Sequence, residues 1–280
     1  MLILKHINDI SNYFTALQAN GIKIGFVPTM GALHPGHVSL IAEAKKNSGT
    51  VVSSIFVNPT QFNDTKDFEK YPNTIEQDIY LLEKAGCDTL FLPSVKEMYP
   101  EGLSTTKQYD LGYLETVLDG AYRPGHFQGV CRVVEKLLTI VHPDKLFLGQ
   151  KDYQQCLVIK KLSALMEADM EIVICPTLRE ADGLAMSSRN LRLPDADRKK
   201  APLIYETLQF IQQNIRPGYL NDLKERAANY LTAEGFKVDY IEIADASTLA
   251  LMETWDGKTP LVALAAAFIG EVRLIDNLLL

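Results

Sequence analysis

The chain has 280 residues, of which 47% are hydrophobic and 22% charged, and its formal net charge is −7. These values are typical of a globular protein with a large core, and a negative chain without a basic tract argues against nucleic acid as the main partner. The longest apolar stretch, residues 260–270, is too short to cross a bilayer, so we expect no membrane partner.

The first part of the chain alternates short apolar runs, rich in Val, Ile and Phe, with helical patterns. The runs predict strands at residues 22–27, 50–57, 89–92, 145–148 and 171–175. The patterns between them predict helices at residues 38–46, 74–85, 130–141 and 154–166. This alternation predicts an α/β fold, with a Rossmann-like parallel sheet that carries helices on both faces. Ligands of such sheets bind beyond the carboxyl ends of the strands.

The pattern changes near residue 177. Helices are predicted at residues 194–214 and 220–234, and strands at residues 237–243, 261–267 and 272–275. We therefore predict two domains, a Rossmann-like nucleotide-binding catalytic domain at residues 1–176 and a smaller α+β lid domain at residues 177–280.

Residues 26–37 lead from the first predicted strand through a turn with glycine and proline into a helix. Unpaired N–H groups and the positive dipole end at a helix start bind anions. His34 and His37 lie three residues apart on the first helical turn, and Gly36 leaves room for a phosphate at the backbone. The pattern favours a nucleotide phosphate site, and two surface histidines near a turn are the alternative. The absence of a Walker-type loop argues against transfer of a γ-phosphate.

Three further polar segments follow predicted strands. Their hydrogen-bonding and charged side chains are Asn58 and Gln61 after the second strand, Lys151, Asp152 and Gln155 after the fourth, and Ser187, Ser188 and Arg189 after the last. The neutral amides suit a small polar substrate, whereas the cations can neutralise phosphate charge. For each segment taken singly, a plain turn, polar loop or helix start is the alternative. Four such segments at one sheet edge favour a shared ligand site.

The motif His34-Pro35-Gly36-His37, paired with Met186-Ser187-Ser188-Arg189, resembles the HxGH and KMSKS-like motifs of the nucleotidyltransferase superfamily. Five segments in order resemble the pantoate–β-alanine ligase family over nearly the whole chain: residues 28–34, 56–62, 123–127, 149–155 and 182–190. The resemblance implies a two-step reaction. The carboxylate of pantoate attacks the α-phosphorus of ATP to give pantoyl adenylate and pyrophosphate, and the amine of β-alanine then displaces AMP to give pantothenate.

The resemblance also implies roles for single residues. ATP is expected to contact Met30, Gly31, Ala32, Leu33, His34, Pro35, Gly36, His37, Gly149, Gln150, Lys151, Asp152, Leu178, Met186, Ser187, Ser188 and Arg189. Gln61 and Gln155 are expected to bind pantoate, Gln61 also lies near β-alanine, and Asn58 adds a neutral amide. His37 is expected to be the proton donor. Negative charge that develops on the phosphates needs donors, and the catalytic candidates are His34, His37, Lys151, Ser187, Ser188 and Arg189.

Mg²⁺ is expected with ATP, held largely by phosphates and by one or two carboxylates. Asp78 matches a position near the metal in the family, and the family resemblance also implies a homodimer. Two other functions stay open. An adenylyltransferase acting on a phosphorylated substrate would need a cationic pocket for that phosphate, and a nucleotide sensor would bind ATP without forming AMP.

The first residues of the sequence lack the layout of a secretory signal peptide, so we expect a cytoplasmic protein. The four cysteines, Cys87, Cys131, Cys156 and Cys175, are scattered in apolar contexts. Their spacing matches neither a metal site nor a disulfide framework, and we expect buried free thiols.

Overall fold

A computed structural model of the chain describes residues 1–62, 68–69, 71–104 and 107–280. The chain forms two compact units. The first consists of Met1–Gly149 and Val158–Cys175, and the second of Gln150–Leu157 and Pro176–Leu280. The predicted division into a catalytic domain and a lid concerns function, and it stays a prediction.

The first unit is built on a six-stranded parallel sheet. Its strands are β1 (Leu2–Leu4), β2 (Ile24–Thr29), β3 (Thr50–Ile55), β4 (Thr89–Phe91), β5 (Lys145–Gly149) and β6 (Glu171–Cys175). They lie in the order β1-β4-β3-β2-β5-β6, and every neighbouring pair is parallel. The chain order reverses between β2 and β5, and open α/β sheets bind ligands at the strand carboxyl ends at such a point. The predicted α/β class with a Rossmann-like sheet is confirmed.

The central strand β3 shows why these segments form a parallel sheet. All of its residues are buried, including Ser53 and Ser54 at 0% exposure. The hydroxyl of Ser53 donates a hydrogen bond to the carbonyl of Val27 at 2.9 Å, which offsets the cost of burying that polar group. Strands that are buried on both faces lack the apolar–polar alternation of a half-exposed strand, and β3 combines Val51, Val52 and Ile55 with small hydroxyl residues that are also buried.

Helices pack against this sheet. The helices of the first unit include Ile7–Ala19, Pro35–Asn47, Ile75–Lys84, Val95–Met98, Asp119–Tyr122 and His126–Val141, while Tyr153–Leu165 begins in the second unit and ends in the first. Short 3₁₀ helices lie at Pro59–Gln61, Gly112–Glu115 and Gln150–Asp152. In the part of the chain that the structure describes, no helix has the length and hydropathy that a bilayer span requires. All four cysteines are buried free thiols, as expected.

Two predicted helices begin earlier than their sequence patterns indicate. The helix predicted at residues 38–46 starts at Pro35, whose fixed φ suits a first helical turn. The helix predicted at residues 130–141 starts at His126. Strand β1 and the helix Ile7–Ala19 are absent from the prediction. A three-residue strand and a helix whose N-cap residue makes no side-chain cap leave little signal.

The second unit combines an antiparallel sheet with helices. Its strands are β8 (Lys237–Asp245), β10 (Leu261–Ile269) and β11 (Val272–Leu279), in the order β11-β10-β8, and a separate pair joins β7 (Gly218–Tyr219) to β9 (Thr254–Trp255). Its helices include Asp195–Lys200, Leu203–Asn214, Asn221–Ala233 and the 3₁₀ helix Ser188–Arg192. One hydrophobic cluster joins helical residues such as Leu208 and Leu231 to the alanines Ala263, Ala265 and Ala267 of β10. The predicted α+β character of this region is confirmed.

One predicted helix of the second unit is wrong in its extent. Residues 194–214 form two helices, Asp195–Lys200 and Leu203–Asn214. Pro202 lies between them, and its missing N–H prevents the first helix from continuing. The strands predicted to end at residues 243 and 275 extend to Asp245 and Leu279, because both continue to pair with β10 up to those residues.

Candidate active site

The loop that follows β2 is held by one buried carboxylate. Asp78, in the helix Ile75–Lys84, is 1% exposed, and its oxygens accept hydrogen bonds from the backbone N–H groups of Ala32 and Leu33 at 2.9 and 2.8 Å. The hydroxyl of Thr74 donates a third hydrogen bond at 3.1 Å. Ala32 adopts a left-handed conformation at φ +50°, which is costly for a residue with a Cβ. The carboxylate therefore fixes the path of the loop against this strain.

Gly31 in the same loop satisfies both a conformational and a steric requirement. Its φ is +82°, in the region that glycine adopts most readily. A Cβ at this position would lie 2.9 Å from an oxygen of Asp78 and 3.1 Å from the side chain of Ile55. A larger residue would therefore press on the carboxylate that anchors the loop.

His34 and His37 form a reciprocal cap at the start of the helix Pro35–Asn47. Nδ1 of His34 accepts a hydrogen bond from the N–H of Gly36 at 3.2 Å, and Nδ1 of His37 accepts one from the N–H of His34 at 3.3 Å. The ring centroids lie 4.1 Å apart. A ring nitrogen that accepts carries no proton, so the proton of each neutral ring lies on Nε2. Both imidazoles therefore lie at the N-terminus of this helix, where an anion is favoured.

The predicted substrate amides follow β3. Asn58 is 0% exposed, and its Nδ2 donates to the carbonyl of Gly129 at 3.1 Å and to Oε1 of Gln61 at 3.2 Å. Its Oδ1 accepts a hydrogen bond from the hydroxyl of Tyr99 at 2.9 Å. Gln61 in turn donates through Nε2 to the sulfur of Met30 at 2.9 Å. The structure therefore brings Gln61 to the loop after β2. Asn58 has the contacts of a residue that positions Gln61, and its direct contact with substrate stays a prediction.

The helix His126–Val141 supports the backbone of this segment. A ring nitrogen of His126 lies 2.8 Å from the carbonyl oxygen of Gln61. Gly129 allows the close approach, because a Cβ there would meet the carbonyl oxygen of Thr60. These contacts give a structural role to residues 123–127, a segment that carries the family resemblance but had no assigned role. The signal that sequence reasoning missed is a glycine in the first turn of an amphipathic helix.

In the second unit, the short 3₁₀ helix after β5 is held by Asn277 of β11. Nδ2 of Asn277 donates to the carbonyls of Gln150 and Lys151 at 3.0 and 2.9 Å, and Nε2 of Gln150 donates back to Oδ1 of Asn277 at 3.1 Å. The side chain of Lys151 is 18% exposed, and its ammonium lies 3.6 Å from a carboxylate oxygen of Asp152. Gln155 lies in the next helix and is partly buried. Gly149, the other predicted residue here, ends β5 in the first unit.

The polar segment after β6 begins as a hairpin, in which the N–H of Met186 donates to the carbonyl of Leu178 at 3.0 Å. Arg179 crosses this hairpin and donates to the carbonyl of Gly183 at 3.1 Å. The same guanidinium donates to both carboxylate oxygens of Asp276 at 2.6 and 3.0 Å. Burial raises the pKa of Asp276, and its hydrogen bonds with Arg179 oppose that rise. The hairpin is therefore tied to β11 by a buried ion pair.

Ser187, Ser188 and Arg189 follow the hairpin directly and are partly buried. The hydroxyl oxygen of Ser187 accepts a hydrogen bond from the N–H of Arg189 at 3.3 Å and so caps the 3₁₀ helix Ser188–Arg192. A capping hydroxyl keeps its own proton to donate. The capping role and a phosphate-binding role are thus compatible at Ser187.

The residue that was predicted to lie near a metal is Asp78. Among the residues that the structure describes, no cluster of three or more His, Cys, Asp or Glu side chains could hold a metal ion. Asp78 gives both of its oxygens to the loop after β2. A direct bond from Asp78 to Mg²⁺ stays a prediction.

Comparison with known proteins decides the family. A model of the family described as pantoate-beta-alanine ligase matches residues 2–279. The chain belongs to the pantoate-beta-alanine ligase family. A member from Bacteroides thetaiotaomicron, named pantothenate synthetase, is 43% identical over 279 residues, which cover 99% of this chain and 98% of the relative.

Solved structures of the family agree with this fold. Pantothenate synthetase from Thermus thermophilus has a TM-score of 0.90 and 40% identity, covering 99% of both chains. Pantoate-beta-alanine ligase from Francisella tularensis, complexed with beta-gamma ATP and beta-alanine, has a TM-score of 0.83 and 40% identity, covering 100% of this chain and 97% of its own. The resemblance inferred from the sequence motifs is therefore confirmed.

In this member of the ligase family, the predicted residues form two groups. The first unit brings together residues 30–37, Asn58, Gln61 and Asp78. The second unit contains Gln150, Lys151, Asp152, Gln155, Leu178, Met186, Ser187, Ser188 and Arg189. Sequence reasoning missed the residues that support each group, above all Arg179, Asp276 and Asn277. The available signal was the polar pair Asp276-Asn277, which directly follows the strand predicted at residues 272–275.

Proposed function

We propose that this chain catalyses the ATP-dependent condensation of (R)-pantoate with β-alanine through a pantoyl-adenylate intermediate, with release of AMP and pyrophosphate. Family membership over residues 2–279 supports this reaction. The observation that carries the residue roles is the reciprocal cap that His34 and His37 form at a helix N-terminus, next to a loop that Asp78 fixes.

In the first step, a carboxylate oxygen of pantoate attacks the α-phosphorus of ATP, and the bond from that phosphorus to the pyrophosphate oxygen breaks. Negative charge grows on the phosphate oxygens, and donors that are already in place stabilise it. His34 and His37 supply such donors, together with the N–H groups of the loop and of the helix start. By analogy with oxyanion holes, each donor lowers the barrier by about 3–4 kcal/mol.

The second unit supplies the remaining donors of the proposal. Lys151 and Arg189 carry the positive charge that a pyrophosphate leaving group requires, and Arg189 can bind phosphate oxygens with two N–H groups. Ser187 and Ser188 add hydroxyl donors. Leu178 is assigned to the adenine through its backbone.

In the second step, the neutral amine nitrogen of β-alanine attacks the acyl carbon of the adenylate, the bond from that carbon to the AMP oxygen breaks, and the nitrogen releases one proton to the solvent. Gln61 is assigned to pantoate and β-alanine, and Gln155 to pantoate. The contact between Gln61 and Met30 supports this assignment, because it places a substrate amide beside the ATP loop. His37 is assigned as the proton donor.

Mg²⁺ enters this proposal as part of the nucleotide substrate. Phosphate oxygens and water supply most of its ligands in such complexes, with one or two carboxylates. Its expected contribution is to neutralise phosphate charge, and Asp78 stays the candidate carboxylate.

The assembly is proposed from the family resemblance, and we expect a homodimer. A cytoplasmic location stays an expectation. Light scattering coupled to gel filtration checks the dimer, and a mass corresponding to one chain would contradict it.

The decisive assay mixes the protein with MgATP, pantoate and β-alanine and follows AMP and pantothenate. We expect one AMP for each pantothenate, with no AMP when pantoate is omitted. AMP formed equally without pantoate would reject the substrate assignment. Thermal stabilisation by ATP without any AMP would instead identify a nucleotide sensor.

His37→Ala tests the role of the imidazole in the same assay. Loss of one preorganised donor should lower kcat for adenylation about 10²–10³-fold while the protein stays folded. His6→Ala is the matched control, since the side chain of His6 is 70% exposed and the residue follows β1, which β4 and β3 separate from β2 in the sheet. Full adenylation activity in His37→Ala would refute the role.

A further inference from the structure

Two adjacent residues of β11 hold both polar segments of the second unit. Asp276 and Asn277 are each 2% exposed. Successive side chains of a strand point to opposite faces of the sheet, so the pair reaches two parts of the unit at once. Asn277 contacts the 3₁₀ helix that carries Lys151, and Asp276 contacts the hairpin that leads to Ser187.

The Asn277 contacts define where the Lys151 backbone lies. The amide makes three hydrogen bonds of 2.9–3.1 Å, and all of them fall on the consecutive residues Gln150 and Lys151. The 3₁₀ helix Gln150–Asp152 has only three residues. A helix of this length has too few internal hydrogen bonds to keep its geometry alone. Asn277 therefore sets the point from which the Lys151 side chain extends.

The Asp276 contacts define the hairpin in a similar way. The carboxylate holds the Arg179 guanidinium by its edge, and the guanidinium carbon lies 3.6 Å from the ring centroid of Tyr205. The same guanidinium donates to the carbonyl of Gly183, at the turn of the hairpin. The Arg179 side chain is thus fixed by Asp276 along its edge and by Tyr205 on its face, and the backbone of the hairpin that leads to Ser187 is fixed with it.

Stability alone is a poor explanation for this arrangement. A buried ion pair costs much of its attraction in lost hydration, and well-packed apolar residues are often as stabilising. The contacts instead favour a geometric role. Asn277 binds the backbone of one segment that is proposed to bind phosphate, and Asp276 binds the arginine that crosses the other.

We propose that Asp276 and Asn277 are a positioning pair that sets the distance between the Lys151 ammonium and residues 187–189, so that both groups meet one polyphosphate. The inference rests on the proposed function, which assigns ATP to both segments. Neither residue of the pair touches ATP. Asn277 acts through Lys151, and Asp276 acts through Arg179 and the hairpin.

Asn277→Ala removes the contacts of one arm, and pyrophosphate exchange with pantoate measures the first half-reaction. Because small displacements of positioned groups have large kinetic effects, KM for ATP should rise about tenfold, with KM for β-alanine in the full reaction unchanged. Val272→Ala is the control, at a buried core position of the same strand. It should lower the unfolding temperature without changing KM for ATP. Equal KM values for ATP in Asn277→Ala and the parent protein overturn the proposal.

A double-mutant cycle separates positioning from a merely structural role. If Asn277 acts through Lys151, Asn277→Ala should change KM for ATP by less than about twofold in a Lys151→Ala background. If the double variant shows the product of the two single-variant changes in KM for ATP, the proposal is overturned. Should Asn277→Ala fail to fold, Asn277→Ser keeps one donor and takes its place in the same cycle.

Arg179→Lys tests the other arm, because lysine keeps the charge but loses the two-pronged contact with Asp276. KM for ATP should rise, and the rise should disappear in an Arg189→Ala background. A rise that persists there overturns the Asp276 arm. Failure of the proposed function is distinguishable, since the parent protein would then form no AMP from ATP, pantoate and β-alanine before any variant is compared.

Discussion

The loop after β2 and the hairpin after β6 are both proposed to lead to ATP, but buried carboxylates anchor them in different ways. Asp78 accepts N–H groups of the loop backbone, 45 and 46 residues away in sequence. Asp276 binds the charged side chain of Arg179, 97 residues away. The first anchor therefore shapes the backbone directly, and the second acts through an ion pair.

This difference determines which buried polar groups would lose their partner if either carboxylate were removed. Asp78 lies in the first turn of the helix Ile75–Lys84, where the helix dipole favours a negative charge. Its removal would leave neutral N–H groups without an acceptor. Removal of Asp276 would leave a guanidinium that is largely buried, with the Arg179 side chain 17% exposed. An unpaired buried charge lowers the free energy of unfolding more than unpaired backbone amides do. Substitution of Asp276 should therefore destabilise the protein more than substitution of Asp78.

Asp276→Ala should have the largest effect on stability. Breaking a buried pair by removing one partner costs about 3–5 kcal/mol, because the other charge stays buried. Chemical denaturation followed by circular dichroism measures the change in the free energy of unfolding. The double variant Arg179→Met/Asp276→Leu is the control and should lose less than the single variant. A single variant as stable as the parent would show that the pair is not desolvated.

Asp78→Asn should have the next largest effect. The amide keeps the shape of the carboxylate but turns one acceptor into a donor that faces a backbone N–H. The expected loss is about 2–3 kcal/mol, together with lower adenylation activity. Glu76→Gln is the matched control, since it removes an exposed acid from the first turn of the same helix. Equal losses in the two variants would assign the effect to the helix dipole instead of the loop.

The two regions also differ in how far the sequence reveals them. His34, Pro35, Gly36 and His37 are consecutive, so their joint role in a helix start is readable from local rules. The polar pair of β11 is not readable in this way. Its partners are remote in sequence, and a polar dipeptide after an apolar run looks like the end of a strand.

The same limit applies to the fold. Alternating strand and helix patterns predict the parallel sheet, because each element is buried by neighbours that the pattern implies. The sequence does not state that Asn58 is enclosed by Gly129 and Tyr99. That enclosure depends on tertiary contacts across 71 and 41 residues, which no local pattern encodes. The neutral amide alone suggested a substrate contact.

Gly31→Ala should have a smaller effect, which separates strain from crowding in the first loop. We expect a loss of about 1–2 kcal/mol, because the site requires a positive φ, which is costly for a residue with a Cβ, and because the Cβ meets the Asp78 carboxylate. Gly86→Ala is the control, since Gly86 has nearly the same φ of +81° and no neighbouring atom within 4 Å of its added Cβ. Thermal unfolding of both variants measures the two losses of stability, and their difference is the cost of the contact between the new Cβ and Asp78. Equal losses would mean that the Asp78 carboxylate moves aside without a loss of stability.

Leu191→Ser should have the smallest effect, and it tests the region that follows the hairpin after β6. Leu191 belongs to the 3₁₀ helix that Ser187 caps, yet it is 87% exposed. If the ion pair of Arg179 and Asp276 fixes this region, an exposed leucine adds nothing to it, and the free energy of unfolding should change by less than about 0.5 kcal/mol. Thermal unfolding and KM for ATP check the result. A loss as large as that of Gly31→Ala would show that the side chain is covered in solution, so that the region is held by apolar contact as well as by charge.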